Sequence, residues 1–176
     1  MLHLLFVCTG NICRSPLAER LAAAYSVQLD IPGLTTSSAG TRAVIAHPMH
    51  KNAALVLESL GGEPADFAAR QLTSRIAAAA DLILTMTRAH RDSVLELAPQ
   101  KLRSTYTLTE AAQLASKTAA TALSDLPALR PQINADAAPD IPDPIGQSEE
   151  VFIEVGTRIA ELLPPILELC RPPEAR

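Results

Sequence analysis

The chain opens on a nearly continuous apolar run, "LHLLFV" (2–7), that ends abruptly at turn-forming residues. A run of this kind predicts a strand buried on both faces of a parallel sheet. The period then changes. In "SPLAERLAAAY" (15–25) Leu17, Leu21 and Ala24 recur on one helical face, with Ser15 placed to cap the helix and Pro16 at its first position. "LTTSSAG" (34–40) predicts a second short strand, and "HPMHKNAALVLESLGG" (47–62) a helix closed by Gly61 and Gly62. "LTSRIAAAADLILTM" (72–86) reads as a capped helix followed by the strand "DLILTM". "TRAHRDSVLELAP" (87–99) is a helix with Val94, Leu95 and Leu97 inward, and "LRSTYTL" (102–108) a weaker fourth strand.

The stretch Thr107–Asp140, Ala-rich and then Pro-rich, has the weakest pattern and predicts one or two short helices and a long surface loop that delivers "DPIGQSEE" (143–150). The last element, "SEEVFIEVGTRIAELLPPILELC" (148–170), repeats Val151, Val155, Ile159, Leu162, Ile166 and Leu169 at intervals of three and four. Pro164 and Pro165 should kink or split it. Strands alternating with helices predict an α/β fold: one doubly wound domain over residues 1–176, with a parallel sheet of about four strands.

Composition narrows the partners. A net charge of −4 leaves no basic face for a nucleic-acid backbone, and five aromatic residues without Trp leave no base-stacking platform. The first residues lack a signal-peptide core and no apolar run reaches membrane-spanning length, so a cytoplasmic protein without membrane or nucleic-acid partners is expected. Cys8, Cys13 and Cys170 are too few for a secreted disulfide framework and have no metal-binding spacing. His47 and His50, with Pro48 between them, read as a loop or helix start rather than as ligands.

The candidate chemistry lies in "CTGNICRS" (8–15), between the first strand and the first helix. A strand-to-helix turn offers unpaired backbone N–H groups and the positive end of a helix dipole to an anion. Gly10 and Asn11 tolerate the left-handed conformations such a nest requires, and Arg14 adds a planar fork matched to phosphate oxygens. The cradle is thus Thr9, Gly10, Asn11, Ile12, Cys13, Arg14 and Ser15, with Cys8 at its floor. The same field favours the thiolate of Cys8, a nucleophile whose target would be the bound phosphate.

On "VCTGNICRSP" the chain resembles the low-molecular-weight protein tyrosine phosphatases, which carry a Cys-x₅-Arg-Ser/Thr signature at the N-terminus of a small α/β domain. The likeness extends through "SSAGT", "ARQLT", "ADLILTMTRAH" and "DPIGQSEEVF", leaving out residues 109–138. It implies a phosphorylated protein as substrate, no cofactor or metal, and a monomer or weak dimer. It also implies residue roles: Cys8 nucleophile, Arg14 phosphate fork, Asp143 of the Asp-Pro pair as general acid and then base, and Ser15 as donor to the thiolate. Asn11 and Ser38 would hold the loop in shape. Phe67 stands where some members have a His before "ARQ". Cys13 is either packing or the partner of a reversible disulfide with Cys8, and Cys170 is packing.

Four readings compete. Tyrosine-specific relatives have aromatic residues after the Asp-Pro, where this chain has Ile145 and Gly146. Protein arginine phosphatases share the "DP-x-G-x-S" loop but carry Thr in place of Ile12, and the apolar Ile favours an aryl phosphate. Thioredoxin-coupled arsenate reduction needs relay cysteines, and none lies between Cys13 and Cys170. A non-catalytic phosphate binder would have no use for both Cys8 and Asp143.

Overall fold

A computed structural model describes residues 1–172. Strand β1 (Leu2–Cys8) sends Leu4, Phe6 and Cys8 into one layer of the core and Leu5 and Val7 into another, which is why its sequence is apolar throughout. It pairs in parallel with β2 (Leu34–Gly40) on one side and β3 (Leu82–Thr85) on the other, and β3 carries β4 (Thr105–Thr107), giving the order β2-β1-β3-β4. Helices α1 (Arg14–Gln28), α2 (Lys51–Ser59), α5 (Leu108–Lys117) and α7 (Glu149–Leu169) pack in the first layer. The second holds α3 (Ser74–Ala79) and α4 (Arg88–Leu97). This is the doubly wound parallel sheet expected. Successive crossovers leave β1 in opposite directions, so the loop after Cys8 sits at the switch point, where such sheets open a crevice. Among the described residues no helix is long and apolar enough to cross a membrane.

Several local expectations are corrected. Helix α1 begins at Arg14 with Cys13 at its N-cap and no side-chain cap, because the Ser15 hydroxyl is drawn to Cys8 and Asn11 instead. Pro16 is then the third helical residue, still inside the first turn where no N–H has an intrahelical acceptor. Helix α2 starts only at Lys51, capped by His50 Nδ1, which accepts from the Asn52 N–H at 3.1 Å. In α4 the inward positions are His90, Val94 and Ala98, four residues apart; Leu95 is half-buried and Leu97 is 42% exposed.

Helix α7 is not split at Pro164 and Pro165 but runs over 21 residues. Pro164 and Glu161 lie on the exposed side, where solvent can serve the carbonyls left without donors, while Leu163 and Ile166 hold the inner face in the core. Phe152 and Leu163 take the inward places expected of Val151 and Leu162.

The stretch after β4 is less of a surface loop than its composition predicts. Thr107 and Glu110 form a reciprocal capping box that starts α5, which buries Leu108, Ala111, Ala112 and Leu114. Beyond it, short 3₁₀ turns and α6 (Leu126–Leu129) are pinned by the buried Leu126, Ala138 and Ile141. Glu110 is fully buried, and Arg130 reaches both of its carboxylate oxygens, at 2.6 and 3.1 Å, from above the Tyr106 ring. Removing one partner of such a pair strands a buried charge. Arg130→Leu is therefore expected to cost about 3–5 kcal/mol in urea unfolding, and Glu110→Leu/Arg130→Leu much less; equal losses in the two proteins would contradict this.

Candidate active site

The loop from Cys8 to Ser15 is held from outside by its carbonyls. The N–H groups of Thr41, Arg42, Val44 and His50 bind the carbonyls of Cys8, Thr9, Gly10 and Ile12 at 2.7–2.9 Å. The backbone N–H groups of Thr9 through Cys13 make no hydrogen bond among the described residues, and those of Arg14 and Ser15 belong to the first turn of α1. Donors on one side of a tight loop with carbonyls fastened on the other are the makings of an anion nest. Gly40 lets the end of β2 approach: a Cβ there would run into the Thr9 carbonyl and lie 3.0 Å from Asn11 Cβ.

Asn11 adopts φ 57°, the left-handed conformation that Asn tolerates, and is fully buried. Its Oδ1 accepts from the Arg70 N–H at 2.9 Å, which fixes the amide the right way round. Its Nδ2 then donates to Ser15 Oγ and Ser38 Oγ, both at 2.9 Å. Ser38 gives its one proton to Glu19 Oε2 at 2.5 Å. Ser15 already accepts from Asn11, so its own proton is free for Cys8 Sγ at 2.9 Å. The chain Glu19–Ser38–Asn11–Ser15 thus ends in a donor aimed at the sulfur, the arrangement a thiolate needs. Burial raises the Glu19 carboxyl above its ordinary range, and the Ser38 hydrogen bond and the charges of Arg20 and Arg70 pull it back.

Arg14 is buried, with Nη1 donating to the Ile141 carbonyl at 2.9 Å and Nη2 lying 3.5 Å from Asp143 Oδ2. Its Nε has no hydrogen-bond partner among the described residues. The two candidate acids part here: Asp143 reaches Arg14, whereas Asp140 accepts from the Arg88 N–H at 2.9 Å and pairs with its guanidinium. Cys13 is buried behind the loop as a free thiol, pushed up to about 12 by burial, then by the charges of Cys8 and Asp143. Cys170 is half-buried, bonded to the Ile166 carbonyl and raised to about 12 by burial.

Glu19, Arg70 and His90 carry no local sequence signal as site residues. Glu19 follows Ser15 by four positions, one turn along α1, which was the one pointer available. Arg70 binds the Ser38 carbonyl through Nε and Asn11 through its N–H, on the side where Phe67 packs beneath Arg20. His90 is 6% exposed and places Nε2 at 2.8 Å from Thr9 Oγ1. Burial, and next the Arg14 charge, push its ring down to about 4, against the pull of Asp140 and Asp143. A histidine neutral in the fold and ordinary when unfolded favours the fold above about pH 6.5, and that contribution is lost as pH falls toward 4.

With this geometry in place, likeness to known proteins can be read. The family model for low molecular weight phosphotyrosine protein phosphatases matches residues 3–125. The low molecular weight protein-tyrosine-phosphatase Etp of Escherichia coli (strain K12) is 40% identical over 97 residues, which are 55% of this chain and 62% of that protein. The chain thus matches less than two thirds of that relative's length, and Asp143 lies beyond the family match. Solved structures reach further. The Erwinia amylovora tyrosine phosphatase amsI has 27% identity and a TM-score of 0.73, covering 95% of this chain and 92% of its own. The YwlE arginine phosphatase from Geobacillus stearothermophilus has 30% identity and a TM-score of 0.75, covering 96% and 92%. A loop, a sheet order and a sequence match that all converge on the same 123 residues place the chain in the low molecular weight phosphotyrosine protein phosphatase family.

Proposed function

We propose that the chain is a cytoplasmic, single-domain phosphatase that removes phosphate from protein phosphotyrosine through a phosphocysteine on Cys8. The observation that carries this reading is the Ser15 hydroxyl at 2.9 Å from Cys8 Sγ, at the head of a loop whose N–H groups are unpaired among the described residues and which ends in Arg14, 3.5 Å from Asp143. The Cys8 thiolate attacks phosphorus in line as the P–O bond to the phenol breaks, and the Asp143 carboxyl gives its proton to the leaving oxygen. Water then attacks the phosphocysteine, Asp143 takes the water's proton, and the sulfur leaves as a thiolate received by the Ser15 hydroxyl. Arg14 and the loop N–H groups bind the three non-bridging oxygens throughout.

The loop's rim favours an aryl substrate. Ile12 is half-buried in the loop itself, and Val44 and Ile45, 39% and 66% exposed, lie on the segment fastened to it. Cys13 is the loop's other free thiol, pushed up to about 12 by burial; in the resolving role peroxide converts the Cys8 thiolate to a sulfenic acid, and Cys13 must first lose its proton to attack that sulfur, releasing water and forming a disulfide that a thiol reductant reopens.

A second reading, a protein arginine phosphatase, draws on the 30% identity to the YwlE enzyme and on Ile145 and Gly146 in place of aromatic residues after Asp143-Pro144. Turnover of matched phosphotyrosine and phosphoarginine peptides separates the two. Wild type is expected to prefer phosphotyrosine, and Ile12→Thr to move the ratio toward phosphoarginine by about tenfold, the worth of one added hydrogen bond. A wild-type preference for phosphoarginine would overturn the first reading in favour of the second.

A further inference from the structure

His90 stands outside every step of that mechanism, yet it touches the residue that follows the nucleophile. Its ring comes from the first turn of α4, on the far side of the loop from the Glu19 chain, and is buried against Thr9. Nε2 faces Thr9 Oγ1 at 2.8 Å, and Nδ1 is buried with no partner among the described residues. The charged groups around the ring are Arg14, Asp140 and Asp143. Arg14 and Asp143 belong to the constellation that would grip and protonate the substrate, and Asp140 is held by Arg88.

The unpaired Nδ1 decides the tautomer. A neutral imidazole has one N–H; on Nδ1 it would be a buried donor without an acceptor, the costlier of the two defects, whereas on Nε2 it meets Thr9 Oγ1. Nε2–H therefore donates and the Thr9 oxygen accepts. A hydroxyl that accepts from one side must send its own proton to another, and Thr9 is half-exposed in the loop. Ser15 and Thr9 are then handled alike: each is an acceptor to a buried amide or imidazole N–H, and each keeps its proton for the site.

We propose that His90 is a positioning residue, whose Nε2–H fixes the Thr9 hydroxyl as a donor to the phosphoryl group carried on Cys8. The proposal rests on the phosphatase reading for its kinetic consequence, but not for its hydrogen bond. The tautomer places Thr9 as a second hydroxyl donor of the loop, supplied from α4 rather than from α1. A neutral ring keeps that arrangement constant from pH 5 to 8, since its ionisation has been moved down to about 4.

The hydrogen bond is tested by ¹⁵N spectroscopy of the wild-type protein. Nε2 is expected to carry the proton and Nδ1 to be bare from pH 5 to 8, and Thr9→Val to shift the Nε2–H resonance; a proton on Nδ1 overturns the proposal. The kinetic arm is a cycle of Thr9→Val, His90→Leu and the double variant on an aryl phosphate. Each single change is expected to lower kcat by about ten- to a hundredfold, the range for a hydrogen bond to a charged group, with KM little changed. The double variant should be no slower than the slower single one, because both changes remove the same donor. His90→Gln, whose amide can reach as Nε2 does, should recover most of the loss. Multiplying losses, or a Gln variant as slow as Leu, would make His90 a packing residue only. An inactive wild type would defeat the phosphatase reading, and the spectrum would still decide the hydrogen bond.

Discussion

Cys8→Ser is expected to lower kcat on an aryl phosphate by on the order of 10⁴–10⁶, the scale seen when a covalent nucleophile is deleted. The Ser15 hydroxyl, 2.9 Å from the sulfur, and the loop N–H groups can stabilise an anion that already forms with modest effort, as a thiolate does. An alcohol is many orders of magnitude less acidic, and among the described residues the side-chain partner at position 8 is the Ser15 hydroxyl, a donor and not a base. The substitution should leave binding intact, since the nest is made of backbone groups and Arg14. A phosphotyrosine peptide that still binds the variant while turnover is gone would separate loss of chemistry from loss of fold. More than a tenth of wild-type kcat surviving in Cys8→Ser would remove Cys8 from the mechanism.

What the sequence shows of this site is what is contiguous. Strand β1, the loop and the start of α1 follow one another within a few residues, so Cys8, Arg14 and the cradle between them can be read from one stretch. The parallel sheet is legible for the same reason, because burial on both faces writes itself as an unbroken apolar run. The supporting contacts are not local. Thr9 meets His90 across 81 positions, Asn11 meets Arg70 across 59, and Ser38 meets Glu19 across 19. Each partner is an ordinary polar residue of a helix or loop until the sheet order brings the elements together. Among distant residues, Ser38 and Asp143 were expected through the family resemblance, and the fold sets Ser38 on Asn11, Asp143 beside Arg14 and its rival Asp140 on Arg88.

The errors also have physical causes. Ser15 has the residue type and position of a cap, but a hydroxyl beside the Cys8 sulfur and a buried amide has better partners than a helix N–H. The short helices expected after β4 are α5 and α6, but Ala-rich composition hid where they begin although Thr107-x-x-Glu110 spells a capping box, and the buried Glu110 draws in Arg130 from a segment that otherwise reads as loop. Pro164 and Pro165 do not split α7 because its core-facing residues outweigh two missing donors on the outer side.

For Asp143 the decisive result is how the loss varies with the leaving group. Its side chain is about half-exposed, 48%, and leans on Arg14 at 3.5 Å, while its Oδ1 accepts from the Ile145 N–H at 3.1 Å. The acid's role requires the carboxyl to carry a proton until the leaving oxygen takes it. Asp143→Ala is expected to slow phosphotyrosine, whose phenolate is a poor leaving group, by about 10²–10⁴ in kcat, the usual worth of a positioned general acid. An activated aryl phosphate, whose phenolate departs without a proton, should lose far less, and the dependence of rate on leaving-group acidity should steepen. Asp140→Ala is the control: it removes an acceptor from the first N–H of α4, at about 1 kcal/mol of stability, and should leave the leaving-group dependence as it was. Equal losses on both substrates in Asp143→Ala, or a steepened dependence in Asp140→Ala instead, would take the acid's role from Asp143.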